Sequence, residues 1–268
     1  MFEWKYIIKQ QNLLAGRQMF DVELTTACNK HCYVCPREKL TRVGQEMTQD
    51  VFDLLCHWLP DDCDVFFAGL GEPLLHKQCT EYVHKLHLSG RKTSIMTNGK
   101  LLSTSQMRGL FAAGLDKLQI SIIQKTDLFS VEHFVAMIDE EHKNKVVFNF
   151  IKEPDLETPK TVLEMLRDNG LRFCIKQVHN RAGLLYSTKR QNDIRTCATF
   201  FCDTFISAKG EIFVCSNDIN GQCSVNTIME MSFDELSEYK KKFLGNNQIC
   251  GLCSQCTDEY RLKHFNAH

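Results

Sequence analysis

Phe20-Asp21-Val22-Glu23-Leu24-Thr25-Thr26-Ala27-Cys28-Asn29-Lys30-His31-Cys32-Tyr33-Val34-Cys35 is the stretch from which the rest of the chain is read. Phe20, Val22 and Leu24 alternate with polar residues and share one face, the pattern of a half-buried strand over 20–25. Three cysteines follow at C-x3-C-x2-C spacing. A strand running into three closely spaced thiolates aims them at one spot above its C-terminal end. Three thiolates can hold three irons of a [4Fe–4S] cluster and leave the fourth open. An open iron can bind and reduce a ligand, so the motif points to chemistry more than to structure. The competing reading is a zinc knuckle or three unrelated buried thiols. It fits less well, because zinc sites usually pair C-x2-C units and close all four positions.

Outward from that stretch, strand and helix patterns alternate to about residue 178. Strands are predicted at Phe20–Thr25, Asp64–Ala68, Thr93–Met96, Lys117–Ile122, Lys145–Ile151 and Leu171–Val178. Helices are predicted between them at Thr48–Leu59, Lys77–Leu88, Thr104–Ala113, Val131–Glu140 and Pro159–Asp168. Thr48 and Thr104 suit N-caps, and Pro159 suits a first helical turn. Gly90, Gly114 and Gly170 each stand where a helix stops. Six strands joined by about five helices give an α/β fold, a parallel sheet curved into a partial (β/α)6 TIM-like barrel. Ligands bind at the C-terminal ends of the strands in such sheets, where the motifs fall.

After about residue 180 the alternation stops. Asp203–Ser207 and Glu211–Cys215 flank Ala208-Lys209-Gly210, a hairpin signal. Ser232–Leu244 reads as an amphipathic helix with a capping box, Ser232 and Glu235. Cys250-Gly251-Leu252-Cys253-Ser254-Gln255-Cys256 closes the pattern. This tail is too short to bury a core unaided, and a metal cluster would supply the missing stability. Two domains are expected, 1–183 and 184–268.

The 268 residues carry a net charge of −1, with 43% hydrophobic and 24% charged residues, an ordinary soluble composition. No basic block suggests nucleic acid or an anionic membrane. No apolar run approaches the roughly 18 residues of a membrane span. Met1 to Gln18 lacks the apolar core of a signal peptide. A cytoplasmic protein is expected, and its 14 cysteines are then expected to serve metal ligation or packing rather than disulfides. The ten histidines show no ligand spacing.

With Cys28, Cys32 and Cys35 in place, residues 18–260 resemble the radical S-adenosylmethionine (SAM) enzymes. Gly69-Leu70-Gly71-Glu72-Pro73 follows the second strand as that family's Gly-Glu-Pro motif does. Thr97-Asn98-Gly99 follows the third strand, like the family's Thr-Asn-Gly turn. His179-Asn180-Arg181-Ala182-Gly183 follows the sixth, like the Asn-Arg/Trp-Gly-Gly run of related enzymes. The resemblance implies that SAM chelates the open iron and is split by one electron into a 5′-deoxyadenosyl radical. It places Val34, Gly71, Glu72, Pro73, Thr97, Asn98, Ser121, Asn149 and Arg181 around SAM. Gly71 would allow close backbone approach, and the Gly71-Glu72-Pro73 turn would bring backbone acceptors, with or without the Glu72 carboxylate, near the methionyl ammonium. Val34 would lie against the adenine. The family commonly has an aromatic there, whereas Tyr33 sits one place earlier.

Cys197 and Cys215 bracket the hairpin, Gly210 precedes Cys215 in a G-x4-C run, and Cys250, Cys253 and Cys256 follow the helix. This resembles the twitch domain, a shortened SPASM domain with an auxiliary [4Fe–4S] cluster. The spacing looks most like the small aminocyclitol (2-deoxy-scyllo-inosamine) dehydrogenase type. On that match Cys197, Cys215, Cys253 and Cys256 are the ligands, with Cys250 as substitute for Cys253 or Cys256. A structural zinc site from the same thiolates is the alternative. Cys56 and Cys174 read as small core residues. Cys202 and Cys223 read as structural thiols, or else as further ligands or hydrogen-atom donors.

The cofactors implied are two [4Fe–4S] clusters and SAM. The activity implied is an oxidoreductase that dehydrogenates a small polar alcohol such as an aminocyclitol or sugar, with the auxiliary cluster as electron acceptor. An external donor such as flavodoxin or ferredoxin would supply electrons. The oxidation needs a base, and the sequence singles none out. The runner-up is a maturase of ribosomal peptides, forming thioether or C–C crosslinks or epimerising residues. Only residues 1–19 precede the first strand, so the peptide-recognition domain of many such enzymes is expected to be absent from this chain. A non-enzymatic iron–sulfur or zinc protein is a third reading, one with no use for an open iron.

Overall fold

A computed structural model describes residues 18–152, 158–186, 200–201, 203–242 and 251–257. The six expected strands are β1 (Gln18–Val22), β2 (Cys63–Phe67), β3 (Lys92–Thr97), β4 (Lys117–Ile122), β5 (Val146–Lys152) and β6 (Arg172–Gln177). Each pairs in parallel with the next. Between them run α1 (Gln49–Trp58), α2 (Cys79–Leu88), α3 (Thr104–Ala112), α4 (Val131–Met137) and α5 (Lys160–Asp168). Among the described residues the sheet does not close, so the fold is an α/β partial barrel.

α1 and α5 start one residue and α2 two residues later than expected, while α3 starts at Thr104 as expected but with a different cap. Ser103, not Thr104, caps α3, its hydroxyl accepting from Gln106 N at 3.1 Å. Pro159 stands at the N-cap of α5 in an extended conformation, and Lys160 opens the helix. Thr48 caps α1 as expected, accepting from Val51 N. Gly90, Gly114 and Gly170 all have positive φ.

The two faces of the sheet differ in kind. Phe20, Val22, Val65, Phe67, Ile95, Leu118, Ile120, Phe148 and Phe150 bury against Phe52, Leu55, Tyr82, Leu86 and Leu110 of the helices in one core. Phe52 and Tyr82 stack at 3.7 Å between ring centroids, joining α1 to α2. Each such side chain contributes about 1.5–3 kcal/mol by leaving water. The opposite face carries Asp21, Met96, Gln119, Ser121, Asn149 and Cys174. Met96 lies beside Gln119, Ser121 beside Asn149, and Asn149 beside Cys174. With Phe66 and Ile151 on the same parity, this face is mixed in character but holds the polar strand residues.

The sheet continues past β1. β7 (Asp203–Ile206) pairs in parallel with β1, placing Met19 beside Asp203 and Val22 beside Ile206. β8 (Glu211–Phe213) and β9 (Ser224–Thr227) extend it antiparallel. The nine strands run in the order β6-β5-β4-β3-β2-β1-β7-β8-β9, so the hairpin is an extension of the barrel sheet. α6 (Phe233–Lys241) starts at the expected Ser232–Glu235 capping box. The last residues of the expected 232–244 helix, 243 and 244, lie outside the described residues. Phe233 meets Phe20 and Trp58 edge-on at 5.8 and 5.9 Å, which seats α6 on the barrel. No helix among the described residues is long and apolar enough to cross a membrane.

Candidate functional site

β1 ends at Val22, three residues short of the expected strand, although Leu24 stays buried. Beyond it the chain is held by Thr26 N donating to Gln45 O and by Gln45 N donating to Thr26 Oγ1, both at 3.0 Å. The cysteine loop then turns on Cys35 N, which donates to Cys32 O at 3.0 Å. Cys28, Cys32 and Cys35 are half-buried, and none is in a disulfide. Burial pushes the Cys32 thiol up to about 11, with the Lys30 ammonium pulling it down and Cys35 and Cys28 adding to the rise. Cys35 is also raised by burial, against the pull of the Arg37 N–H and the Arg181 guanidinium. Asn98 Nδ2 donates to Cys28 Sγ at 3.8 Å. Three thiols on one short loop, none in a disulfide, with cations near them and an N–H donor to sulfur, make a donor set whose chemistry fits a cysteine-held iron–sulfur cluster. Among the described residues no three His, Cys, Asp or Glu side chains gather around a point where one metal ion would sit. A cluster places its thiolates on different irons and asks for wider spacing.

The loop after β4 grips this cysteine loop. Buried Lys30 pairs with Asp127, whose Oδ2 also accepts from Ile123 N and Gln124 N at 2.8 Å. Gln124 Nε2 donates to His31 O at 2.8 Å and Tyr33 OH to Ile123 O at 3.2 Å. The sequence reading passes over Lys30 and Asp127, since nothing local marks an ion pair between residues so far apart in the chain. Val34 is buried behind exposed Tyr33.

Gly71 is tied to its own chain. A Cβ there would lie 1.8 Å from Thr25 O and 2.8 Å from Ala27 O, and Glu72 N donates to Ala27 O at 2.8 Å. The Gly71-Glu72-Pro73 turn therefore rests on the chain leading into Cys28. The Glu72 side chain is engaged as well. Its carboxylate accepts from Thr97 Oγ1 at 2.7 Å, from Asn98 N at 2.8 Å and from Leu74 N at 3.2 Å. Burial raises its pKa, and these three donors oppose the rise. Glu72 thus holds the Thr97-Asn98-Gly99 turn, and Asn98 carries that hold on to Cys28 and to Asn29 Oδ1.

Ser121 and Asn149 lie side by side on the face opposite the core. Asn149 Nδ2 donates to Gln119 Oε1 at 3.0 Å, and the Cys174 thiol donates to Asn149 Oδ1 at 2.6 Å. Cys174 is therefore a half-buried residue on the Asn149 side of the sheet rather than a core residue. The parity it shares with Asn149 across β5 and β6 is the signal that identifies it, along with Gln119.

The turn after β6 is strained. Arg181 and Ala182 have φ of 49° and 52°, followed by Gly183 at 87°. Left-handed non-glycine residues cost about 1–2 kcal/mol each. Arg181 Nη1 donates to Asn217 Oδ1 at 3.5 Å, and Asn217 N donates to Cys215 Sγ at 3.4 Å. Asn180 Nδ2 donates to Gln255 O at 2.6 Å, on the turn Gly251–Gln255 that carries Cys253 and leads to Cys256. The 180–183 turn thereby brings the Cys215 loop and the Cys253–Cys256 turn to the side of the mouth where Arg181 acts on Cys35. Cys197, Cys202 and Cys250 lie outside the described residues. Cys223 is disulfide-bonded, against the expectation that the cysteines are unpaired.

Arg42 links the chain after β1 to the hairpin segment. Buried Arg42 pairs with Glu23 on the chain after β1, donates to Ile219 O at 2.6 Å and lies over the Phe205 and Phe213 rings.

The Radical SAM superfamily model matches residues 22–180. The chain is 25% identical over 132 residues to a tungsten-containing aldehyde ferredoxin oxidoreductase cofactor-modifying protein of Pyrococcus furiosus, covering 47% of this chain and 37% of that one. It is 29% identical over 143 residues to a PqqA peptide cyclase of Granulibacter bethesdensis, covering 50% and 36%. The chain thus spans little more than a third of the length of either curated relative. The crystal structure of BtrN in complex with AdoMet and 2-DOIA superposes with a TM-score of 0.68 at 20% identity, over 91% of this chain and 94% of that one. At that identity the likeness is one of fold.

Proposed function

This chain belongs to the radical SAM superfamily, and from that premise we propose that it dehydrogenates a small polar alcohol, such as an aminocyclitol or sugar. The net change is loss of two electrons and two protons from a carbinol, leaving a carbonyl. Cys28, Cys32 and Cys35 hold the family's [4Fe–4S] cluster. With SAM bound, the chemistry supplied there would be one-electron reductive cleavage of SAM. Val34, the backbone of Gly71, Glu72 and Pro73, Thr97, Asn98, Ser121, Asn149 and Arg181 would hold SAM. Lys30 and Asp127 fix the cysteine loop, and Glu72 fixes the turn beside it. The polar residues Gln119, Ser121 and Asn149, on the face opposite the core, would orient a hydroxyl-rich substrate by hydrogen bonds.

The reading assigns a second [4Fe–4S] cluster to Cys197, Cys215, Cys253 and Cys256, with Cys250 as substitute, in a twitch-like domain over 184–268 beside a barrel domain over 1–183. That cluster would accept the electron left on the substrate. The observation that carries this is the placement of the Cys215 loop and the Cys253–Cys256 turn on one strained turn that also reaches Cys35. The fold likeness to BtrN, a structure holding AdoMet and 2-DOIA, supports the alcohol reading. Flavodoxin or ferredoxin would supply electrons. A peptide-modifying activity is the second reading, favoured by the likeness to a PqqA peptide cyclase.

The test is anaerobic turnover with SAM and reductant against a panel of aminocyclitols and amino sugars, read by mass spectrometry. A carbonyl product matched by 5′-deoxyadenosine is expected. 5′-Deoxyadenosine without an oxidised product across the panel would overturn the alcohol reading, and a crosslinked or epimerised peptide from a neighbouring precursor gene would establish the second.

A further inference from the structure

We propose that Asn180 is a positioning residue that docks the C-terminal cysteine turn onto the mouth of the barrel. For the cluster it serves, the proposal rests on the second-cluster reading above. Asn180 stands three residues beyond the end of β6 and is fully buried. Its backbone N donates to Thr257 Oγ1 at 3.1 Å. Its side-chain Oδ1 accepts from Thr257 N at 3.1 Å, and its Nδ2 donates to Gln255 O at 2.6 Å. Three hydrogen bonds thus join one barrel residue to the two residues that flank Cys256.

The chemistry selects asparagine. A short side chain with both an acceptor and a donor matches an N–H and a carbonyl two residues apart. Aspartate offers acceptors only and would set a carboxylate against Gln255 O. Gly183 presses on the same partner, since a Cβ there would lie 2.3 Å from Gln255 Oε1. The turn between them holds its left-handed residues through Gly183 N and Leu185 N, which donate to Asn180 O at 3.1 Å. Strained backbone persists where its surroundings over-determine it, and here the docked turn is part of those surroundings. Because Arg181 projects from that turn toward Asn217 and Cys35, the hold on residues 255–257 also sets where its guanidinium stands.

The test compares full-length wild type with Asn180→Ala, Asn180→Asp and Thr257→Val. Amide exchange of the metal-free proteins reads the docking without any cluster. Residues 253–257 should exchange about tenfold faster in Asn180→Ala, less so in Thr257→Val, with β2 to β4 unchanged as proof of folding. Iron content and the EPR signal are then read in a Cys28→Ala, Cys32→Ala, Cys35→Ala background, where only the C-terminal site remains. About four irons are expected with Asn180, most of them lost with Asn180→Ala, and an intermediate content with Asn180→Asp. Unchanged exchange at 253–257 in a folded Asn180→Ala protein would overturn the proposal, as would undiminished iron. Absence of iron from the background protein that keeps Asn180 would instead refute the second-cluster reading, and the exchange result would still decide the docking role.

Discussion

The hydroxyl of Thr97 donates to a carboxylate oxygen of Glu72 across 2.7 Å, tying the turn after β3 to the turn after β2. The second carboxylate oxygen takes Asn98 N at 2.8 Å. Glutamine has one acceptor oxygen, so Glu72→Gln must set its NH2 against one of these donors. A buried unsatisfied donor costs about 1–3 kcal/mol. Glu72→Gln should lower stability by that amount in denaturant unfolding of the metal-free protein, and amide exchange should quicken at Asn98 and Gly99.

Two glycines should respond in opposite directions. Gly71→Ala would place a methyl 1.8 Å from Thr25 O, a backbone atom that cannot step aside. The expected loss is about 3 kcal/mol, the upper end for overpacking. Gly109 lies within α3, where a Cβ meets nothing within 4 Å. Gly109→Ala should therefore stabilise by about 0.4–1 kcal/mol, largely through the unfolded chain. Thermal unfolding of the two variants checks both signs.

The Lys30–Asp127 pair should be asymmetric. Lys30→Met leaves Asp127 with the Ile123 and Gln124 N–H groups, which still satisfy its charge in part. Asp127→Asn leaves a buried ammonium facing an amide. The cost expected for Asp127→Asn is about 3–5 kcal/mol, with Lys30→Met costing less. Urea unfolding of the metal-free variants would show the order, and equal losses would refute it.

Cys56 and Cys79 should behave as structural thiols. Burial pushes Cys56 up to about 11 and Cys79 up to about 12 from the usual 9.0. The folded state therefore favours the neutral thiol, and its contribution to stability is full below pH 9 and lost as pH rises through the folded values. Alkylation of both by iodoacetamide, followed by mass spectrometry, should be slow at pH 8. It should accelerate about tenfold per pH unit up to those values, whereas in the unfolded chain the rise should stop near 9.

The barrel was legible in the sequence because its signals are local. Alternation at Phe20, Val22 and Leu24, a hydroxyl before each of α1 and α3, and glycines after α2, α3 and α5 lie within one element or next to it. Adjacent Ser103 and Thr104 are equally good caps by type, so only geometry separates them. β9, with the sequence Ser-Val-Asn-Thr, is short and half-buried and lacks a face to read. The pairing of β7 with β1 joins residues far apart in the chain, beyond any periodicity. The site divides in the same way. C-x3-C-x2-C announces itself, whereas the supports of that loop (Lys30–Asp127, Glu72–Thr97, Asn180–Thr257) are tertiary contacts that no spacing rule contains. Cys174 looks like a core residue in sequence because an apolar run hides which parity lies opposite the core.

The measurement with the plainest bearing on all of this is the EPR spectrum of the dithionite-reduced, anaerobically reconstituted protein before and after addition of SAM. If one iron of the cluster at Cys28, Cys32 and Cys35 is open, SAM should shift the g-values of that cluster, and 5′-deoxyadenosine should accumulate, with both effects gone in Cys32→Ala. A four-iron signal that stays the same with SAM present, or reconstituted protein that holds zinc in place of iron at these cysteines, would refute the assignment.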